Sequence, residues 1–237
     1  MLAKARQLIV STLVLAVAAV PTFAASAITG TVTYNGKVPN LKPLAMDADP
    51  ACAAKHKSPV ANEMLVLGSG NGLGNVMVRV KSPVAGTFTA PAQPAVIDQD
   101  GCQYTPHVLG VMVGQTLKVK NSDGLLHNVH ALPKVNTPFN MAMPANRTEA
   151  ETKFGKEEGM FLVKCDVHPW MSAYVGVFSS PFFAVSGADG KFSISGLPPG
   201  TYEIEAWHEK LGTKSASVTV AADKSATIDF VFAPPGS

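Results

Sequence analysis

From Ile28 onward apolar and polar side chains alternate in short runs, the period-two pattern of half-buried β-strands. Ile28-Thr29-Gly30-Thr31-Val32-Thr33-Tyr34 opens the series, followed by Asn35-Gly36, a pair suited to a hairpin turn. Residues 37–59 contain Pro39, Pro43, Pro50 and Pro59 without periodicity, so a long surface connection is expected there. Strands are predicted around Met64–Leu67, Asn75–Val80, Val96–Asp98, Val108–Val111 and Thr116–Lys120. The polar stretch 136–159 reads as a loop crossing between sheets, and a strand over Met160–Lys164 follows it. Ala173–Phe178, Phe182–Ser186, Lys191–Ile194, Thr201–Trp207, Ser217–Val220 and Ala226–Phe232 complete the set, punctuated by Ala188-Asp189-Gly190 and Pro198-Pro199-Gly200. No helix is expected after residue 27. The fold class is all-β.

The N-terminus departs from this pattern. Lys4 and Arg6 precede an apolar run from Leu8 to Val20, Pro21 breaks it, and Ala24, Ala25, Ser26 and Ala27 follow. That is the layout of a cleaved secretory signal, residues 1–27. The alternative is an uncleaved anchor, but the run is short against the roughly 20 residues a span requires. The mature chain is therefore expected to be periplasmic or otherwise exported, with no membrane span. Its formal charge falls from +2 to zero once Lys4 and Arg6 are removed. No basic run is left to suggest nucleic acid or an anionic membrane as partner.

The candidate chemistry lies in Cys165-Asp166-Val167-His168-Pro169-Trp170-Met171, between two predicted strands. A thiolate, an imidazole and a thioether at intervals of three suit mononuclear copper: Cys and Met are soft ligands, and a trigonal His2Cys site with a long axial Met is the blue-copper arrangement. Zinc fits less well, because thioethers are not among its usual ligands. The fourth ligand must come from elsewhere, and Leu126-His127-Asn128-Val129-His130 offers two imidazoles. Three apart on an extended chain, His127 and His130 face opposite ways, so at most one serves a given site. If Cys165 binds metal, Cys52 and Cys102 remain as a pair. An oxidising compartment favours their disulfide, the alternative being two free thiols. His107 and His208 are candidates for a second metal, though a lone His is more often structural. His56 is weaker still. No carboxylate pair, Gly-x-Ser-x-Gly or nucleotide loop points to an enzyme.

Residues 126–130 and 165–171, 38 apart from His127 to Cys165, resemble the paired ligand segments of the cupredoxin family, its amicyanin- and plastocyanin-like members most closely. The resemblance covers about residues 95–179. It implies a Greek-key β-sandwich holding one type 1 copper through His127, Cys165, His168 and axial Met171, with His130 not a ligand. It also implies single-electron transfer with a redox protein partner, electrons leaving where the edge of His168 emerges through an apolar patch. Pro169, Trp170, Met141 and Met143 are the candidate docking residues, and Asn128 is a candidate tie between the two ligand-bearing segments. Asp189-Gly190-Lys191-Phe192 and Leu197-Pro198-Pro199-Gly200-Thr201-Tyr202 resemble the carboxypeptidase regulatory-like (transthyretin-like) domain, whose opening strand is echoed by Gly30-Thr31-Val32. The pairing of the two is similar to cupredoxin-bearing proteins of the methylamine-utilisation type.

The expected division is a signal (1–27), an N-terminal β segment (28–82), a copper module (83–180), a transthyretin-like β domain (181–233) and a tail (234–237). The two flanking segments are expected to share one sandwich, split around the module. Two other functions compete with electron transfer. One is copper delivery without redox duty, resting on Met141 and Met143; the other is a partner- or carbohydrate-binding module, resting on the transthyretin-like half.

Overall fold

A computed structural model describes residues 26–222 and 224–234. The predicted signal therefore lies almost wholly outside the described residues. Among these, seventeen strands are joined by one short α-helix, Pro50–Ala53, and one 3-10 turn, Ser69–Asn71. No described helix is long and apolar enough to cross a membrane. The chain is all-β.

Two sheets enclose the first core. One orders the strands Val108–Met112, Ser172–Phe178, Glu158–Lys164, His127–Ala131 and Phe139–Met143. The other orders Gln103–Thr105, Ala95–Asp100, Thr116–Asn121 and Glu149–Lys153. Between them pack Ile97, Leu117, Val119, Val129, Phe161 and Val175, all buried. At up to about 3 kcal/mol for each fully buried aliphatic or aromatic side chain, such a cluster supplies the main stabilising term of the sandwich.

A second core forms from the two ends of the chain. Ala27–Tyr34 pairs antiparallel with Lys191–Ser195 and parallel with Ala226–Thr227 and Phe230–Phe232. Met77–Val80 lies between Phe183–Val185 and Gly200–His208, and the latter pairs with Gly212–Val220. Ile28, Val32, Val78, Phe192, Ile204 and Phe232 fill the space between. Gly190 closes one turn of this unit at φ +77°, and a Cβ there would stand 2.1 Å from the Val32 carbonyl oxygen. Only glycine meets both demands. A smaller apolar cluster (Met77, Val108, Phe178) joins the two cores, assisted by the ion pair Arg79–Glu157 at 3.2 Å.

Several expected elements differ. The stretch 136–159 holds two strands, Phe139–Met143 and Glu149–Lys153, rather than a plain loop. Its edge strand, Glu-Ala-Glu-Thr-Lys, buries only Ala150 and so lacks an apolar signature. Asn35-Gly36 makes no hairpin, because Tyr34 lies opposite Phe232 and the Asn35 amide bonds the Phe232 carbonyl. Met64–Leu67 is not a strand; only Leu67 makes an isolated bridge, to Leu73. The connection after residue 37 contains the helical turn Pro50–Ala53. Asp49 caps it by accepting from the Ala51 amide at 2.9 Å, and Pro50 occupies the first turn. Met46 and Cys52 from this connection, with Leu44 and Val60, pack against the first core.

Candidate metal centre

The strand His127–Ala131 and the loop after Glu158–Lys164 meet at one end of the first sandwich. Their strands are neighbours, with Lys164 opposite His130. The loop is tight: the Met171 amide bonds the His168 carbonyl at 2.9 Å, and the Cys165 amide bonds the Met171 carbonyl at 3.2 Å. The His168 amide donates to the Cys165 sulfur at 3.4 Å. These bonds turn Cys165 and His168 to the same side.

His127, Cys165 and His168 each offer a ligand atom, and these atoms all lie within 4.8 Å of one another. The two histidine Nδ1 atoms are 2.9 Å apart, and the Cys165 sulfur is 3.9 Å from His168 Nδ1. All three residues are buried, His127 at 0%, Cys165 and His168 at 2% exposure. Met171 is buried with Cys165 in the first core. His130, on the opposite face of its strand, lies partly exposed against Asp166 at 3.0 Å.

Asn128 links the two segments. Its Oδ1 accepts from the Asp166 amide at 2.7 Å and from the Cys165 thiol at 3.3 Å. Its Nδ2 donates to Asn140 Oδ1 at 2.7 Å and Asp166 Oδ2 at 3.1 Å. The Tyr104 hydroxyl donates to its carbonyl.

The outer nitrogens of both imidazoles are also held. His127 Nε2 lies 2.9 Å from Asp123 Oδ2, and His168 Nε2 lies 3.0 Å from Asp49 Oδ2. Asp123 accepts further from the Gly101 and Cys102 amides, at 2.7 and 2.8 Å, and pairs with Lys55 at 3.0 Å. Cys52 and Cys102 form a disulfide, with the Cys52 sulfur 3.6 Å from His168 Nε2. Thus the connection before residue 60 folds over the end of the sandwich that carries these donors. The edge of His168 does not emerge at the surface, contrary to the expectation, because Asp49 and the disulfide cover it.

Burial alone raises the Cys165 thiol and lowers the His127 imidazolium. Hydrogen bonds reverse both: His127 and the backbone amides bring the thiol down to about 7, while Asp123 and Cys165 raise His127 to about 9. Burial likewise opposes ionisation of Asp123, yet His127, Cys102, Lys55 and Gly101 bring it down to about 2. The pocket thus stabilises a thiolate, the form in which cysteine binds metal.

The other candidates separate from this cluster. Met143 is fully buried beside His127 in register, so it contributes no exposed patch. Met141 is half-buried and accepts from Arg147 Nη2 at 3.3 Å. Pro169 is exposed and Trp170 half-buried; both border a groove of about 490 Å³ that also touches Lys42, Glu63 and His107. Trp170 Nε1 donates to the Cys102 carbonyl at 3.1 Å. His107 is satisfied by Glu209 at 2.6 Å and the Ser172 carbonyl at 3.0 Å. His208 accepts from the Lys210 and Leu211 amides, and burial lowers it to about 4. His56 lies against the Gly101 carbonyl at 2.8 Å. Sequence reasoning missed Asp49, Lys55 and Asp123. The one available signal was Asp49-Pro50, a cap followed by proline at the first helical position.

The carboxypeptidase regulatory-like domain model matches residues 169–233, well under half the chain. No curated protein matches it in sequence. Among solved structures, a copper-containing nitrite reductase from Thermus scotoductus is 23% identical over 41% of this chain and 25% of its own, with a TM-score of 0.34. A variant of amicyanin in its Cu(I) form is 23% identical over 42% of this chain and 97% of its own, at 0.32. A purple cupredoxin from Nitrosopumilus maritimus is 25% identical over 35% and 98%, at 0.30. The chain thus spans a quarter of the nitrite reductase and nearly all of the two smaller proteins. It is similar to cupredoxins over part of its length and to the carboxypeptidase regulatory-like domain toward its C-terminus.

Proposed function

We propose that this protein is an exported mononuclear copper protein that carries single electrons between redox partners, and that His127, Cys165, His168 and Met171 would hold its copper. The observation that carries this reading is the convergence of three buried donor atoms from two separate segments, one a thiol brought down to about 7. Two imidazoles, a thiolate and a thioether are a soft-to-borderline set suited to copper in both oxidation states. When bound, the ion supplies a one-electron Cu(I)/Cu(II) couple. The protein's own part is to fix the donors. Asn128 ties the two segments, and neighbouring strands support them, so the donors change little between oxidation states.

The division into a central module (83–180) and a flanking sandwich (28–82 with 181–233) belongs to the same reading, with residues 44–60 assigned to the central core. The partner is a redox protein that docks on the face carrying Pro169 and Trp170. Export rests on the Lys4–Ala27 sequence. Copper delivery without redox duty loses support because Met143 is buried and the two methionines form no exposed pair. Reversible one-electron voltammetry of the copper-loaded full chain tests the reading. A reversible wave supports it; copper bound without one contradicts electron transfer and favours storage or delivery.

A further inference from the structure

Both imidazoles at this centre carry a carboxylate on the nitrogen that points away from Cys165. The usual alternative is solvent or a backbone carbonyl, so a pair of anions is a specific arrangement. Assigning protons from the partners gives Nε2–H on each ring, directed at Asp123 and Asp49, which leaves each Nδ1 for the interior. One seven-residue segment organises both contacts. Asp49 caps the helical turn and reaches His168. Cys52, in that turn, is bonded to Cys102, whose amide holds Asp123. Lys55, just after it, pairs with Asp123 through Nζ and also donates to the Asp123 carbonyl at 3.0 Å. The contact between Asp49 and His168 spans 119 residues of chain, and the disulfide ties the turn covalently to the sandwich.

We infer that Asp49 and Asp123 are positioning residues of the copper centre, resting on the reading above, which hold the two imidazoles with Nδ1 inward and bias the site toward Cu(II), while Lys55 offsets part of that bias. Carboxylates on the outer nitrogens of metal-bound histidines orient the ring and raise its basicity, and their loss commonly costs about 10–100-fold in metal affinity. The more highly charged ion gains more from nearby anions, since the interaction scales with the product of the charges. Asp123 is partly neutralised by Lys55 at 3.0 Å, whereas among the described residues Asp49 has an ion-pair contact with His168 alone. The two therefore differ in weight, and Lys55 acts with opposite sign.

That opposition makes the test. Asp49→Asn keeps an oxygen for the Ala51 amide and so preserves the cap while removing the charge. In the copper-loaded full chain it is expected to reduce the preference for Cu(II) over Cu(I) about tenfold, raising the midpoint potential by about 59 mV for one electron. Lys55→Gln is expected to shift the potential the other way, by less. Asp49→Glu, with the charge kept but the reach changed, is expected to hold the potential nearer to the unaltered protein than Asp49→Asn does. Competition with Cu(I) and Cu(II) chelators gives the same ratio independently of voltammetry. A purely structural role predicts lower melting temperatures with the potential unchanged. Unchanged potentials in Asp49→Asn, or shifts of the same sign in Asp49→Asn and Lys55→Gln, overturn the inference. If Asp49→Asn fails to fold, the sign of the Lys55→Gln shift decides alone. Failure of the unaltered chain to bind copper through Cys165 overturns the underlying copper reading instead, and is seen before any variant is measured.

Discussion

The two cores are built from the same kind of strand but hold different interiors. The flanking core, made from both ends of the chain, is almost wholly apolar, with Ser186 and His208 among its few buried polar residues. The central sandwich buries Gln99, Asn121, Asp123, His127, Asn128 and His168. Burying such groups costs free energy unless each is partnered, and the rim of the candidate centre is partnered: Asp123 with four donors, Asn128 across two segments, both imidazoles at Nε2. The flanking unit carries a scaffold's interior, and the central unit a site's.

This contrast can be broken or sharpened by perturbing one side at a time. The largest effect is expected at the central staple. Replacing Cys52 and Cys102 together by serine opens a loop with a separation of 50 residues, and the chain-entropy relation gives a loss of about 4 kcal/mol. Calorimetry of the metal-free protein checks this, and copper affinity should fall with it. In the flanking core, Ile204→Ala removes a side chain at 0% exposure and should cost about 3 kcal/mol, read as a lower unfolding midpoint in urea. The optical signature of the copper form should stay unchanged. Gly190→Ala must accommodate φ +77° and a contact of 2.1 Å with the Val32 carbonyl, for a loss of about 2 kcal/mol, again without altering the copper signature. The smallest effect concerns acid. Asp123 lies at about 2 in the folded metal-free protein against an ordinary value of 3.8. Its contribution is fully present above pH 4 and is lost as pH falls through 2, amounting to no more than about 2 kcal/mol. Asp123→Asn should flatten the pH dependence of stability across that window.

How much of this was readable in the chain depends on distance along it. The strands around Ile28, Val78, Val119, Leu162 and Ile204 show in local alternation, because one face of each is buried and the other is not. Cys165, His168 and Met171 show because their relation is local, three residues apart in one loop. His127 was separated from His130 only by a resemblance; alternation showed that the two diverge, not which turns inward. Asp49 could not be seen as a partner of His168, since it stands in a proline-rich stretch without periodicity, 119 residues away. The covering of His168 follows from that contact and was missed with it. Glu149–Lys153 was read as loop because a polar edge strand looks like one in sequence; its identity comes from pairing with Thr116–Asn121.

The most direct test of the central claim is an optical titration of the full chain with Cu(II), run beside Cys165→Ala. The expected result is an intense thiolate-to-copper absorption that saturates at one copper per chain and is absent from the variant. No such band in the unaltered protein, or an equal band in Cys165→Ala, would contradict it.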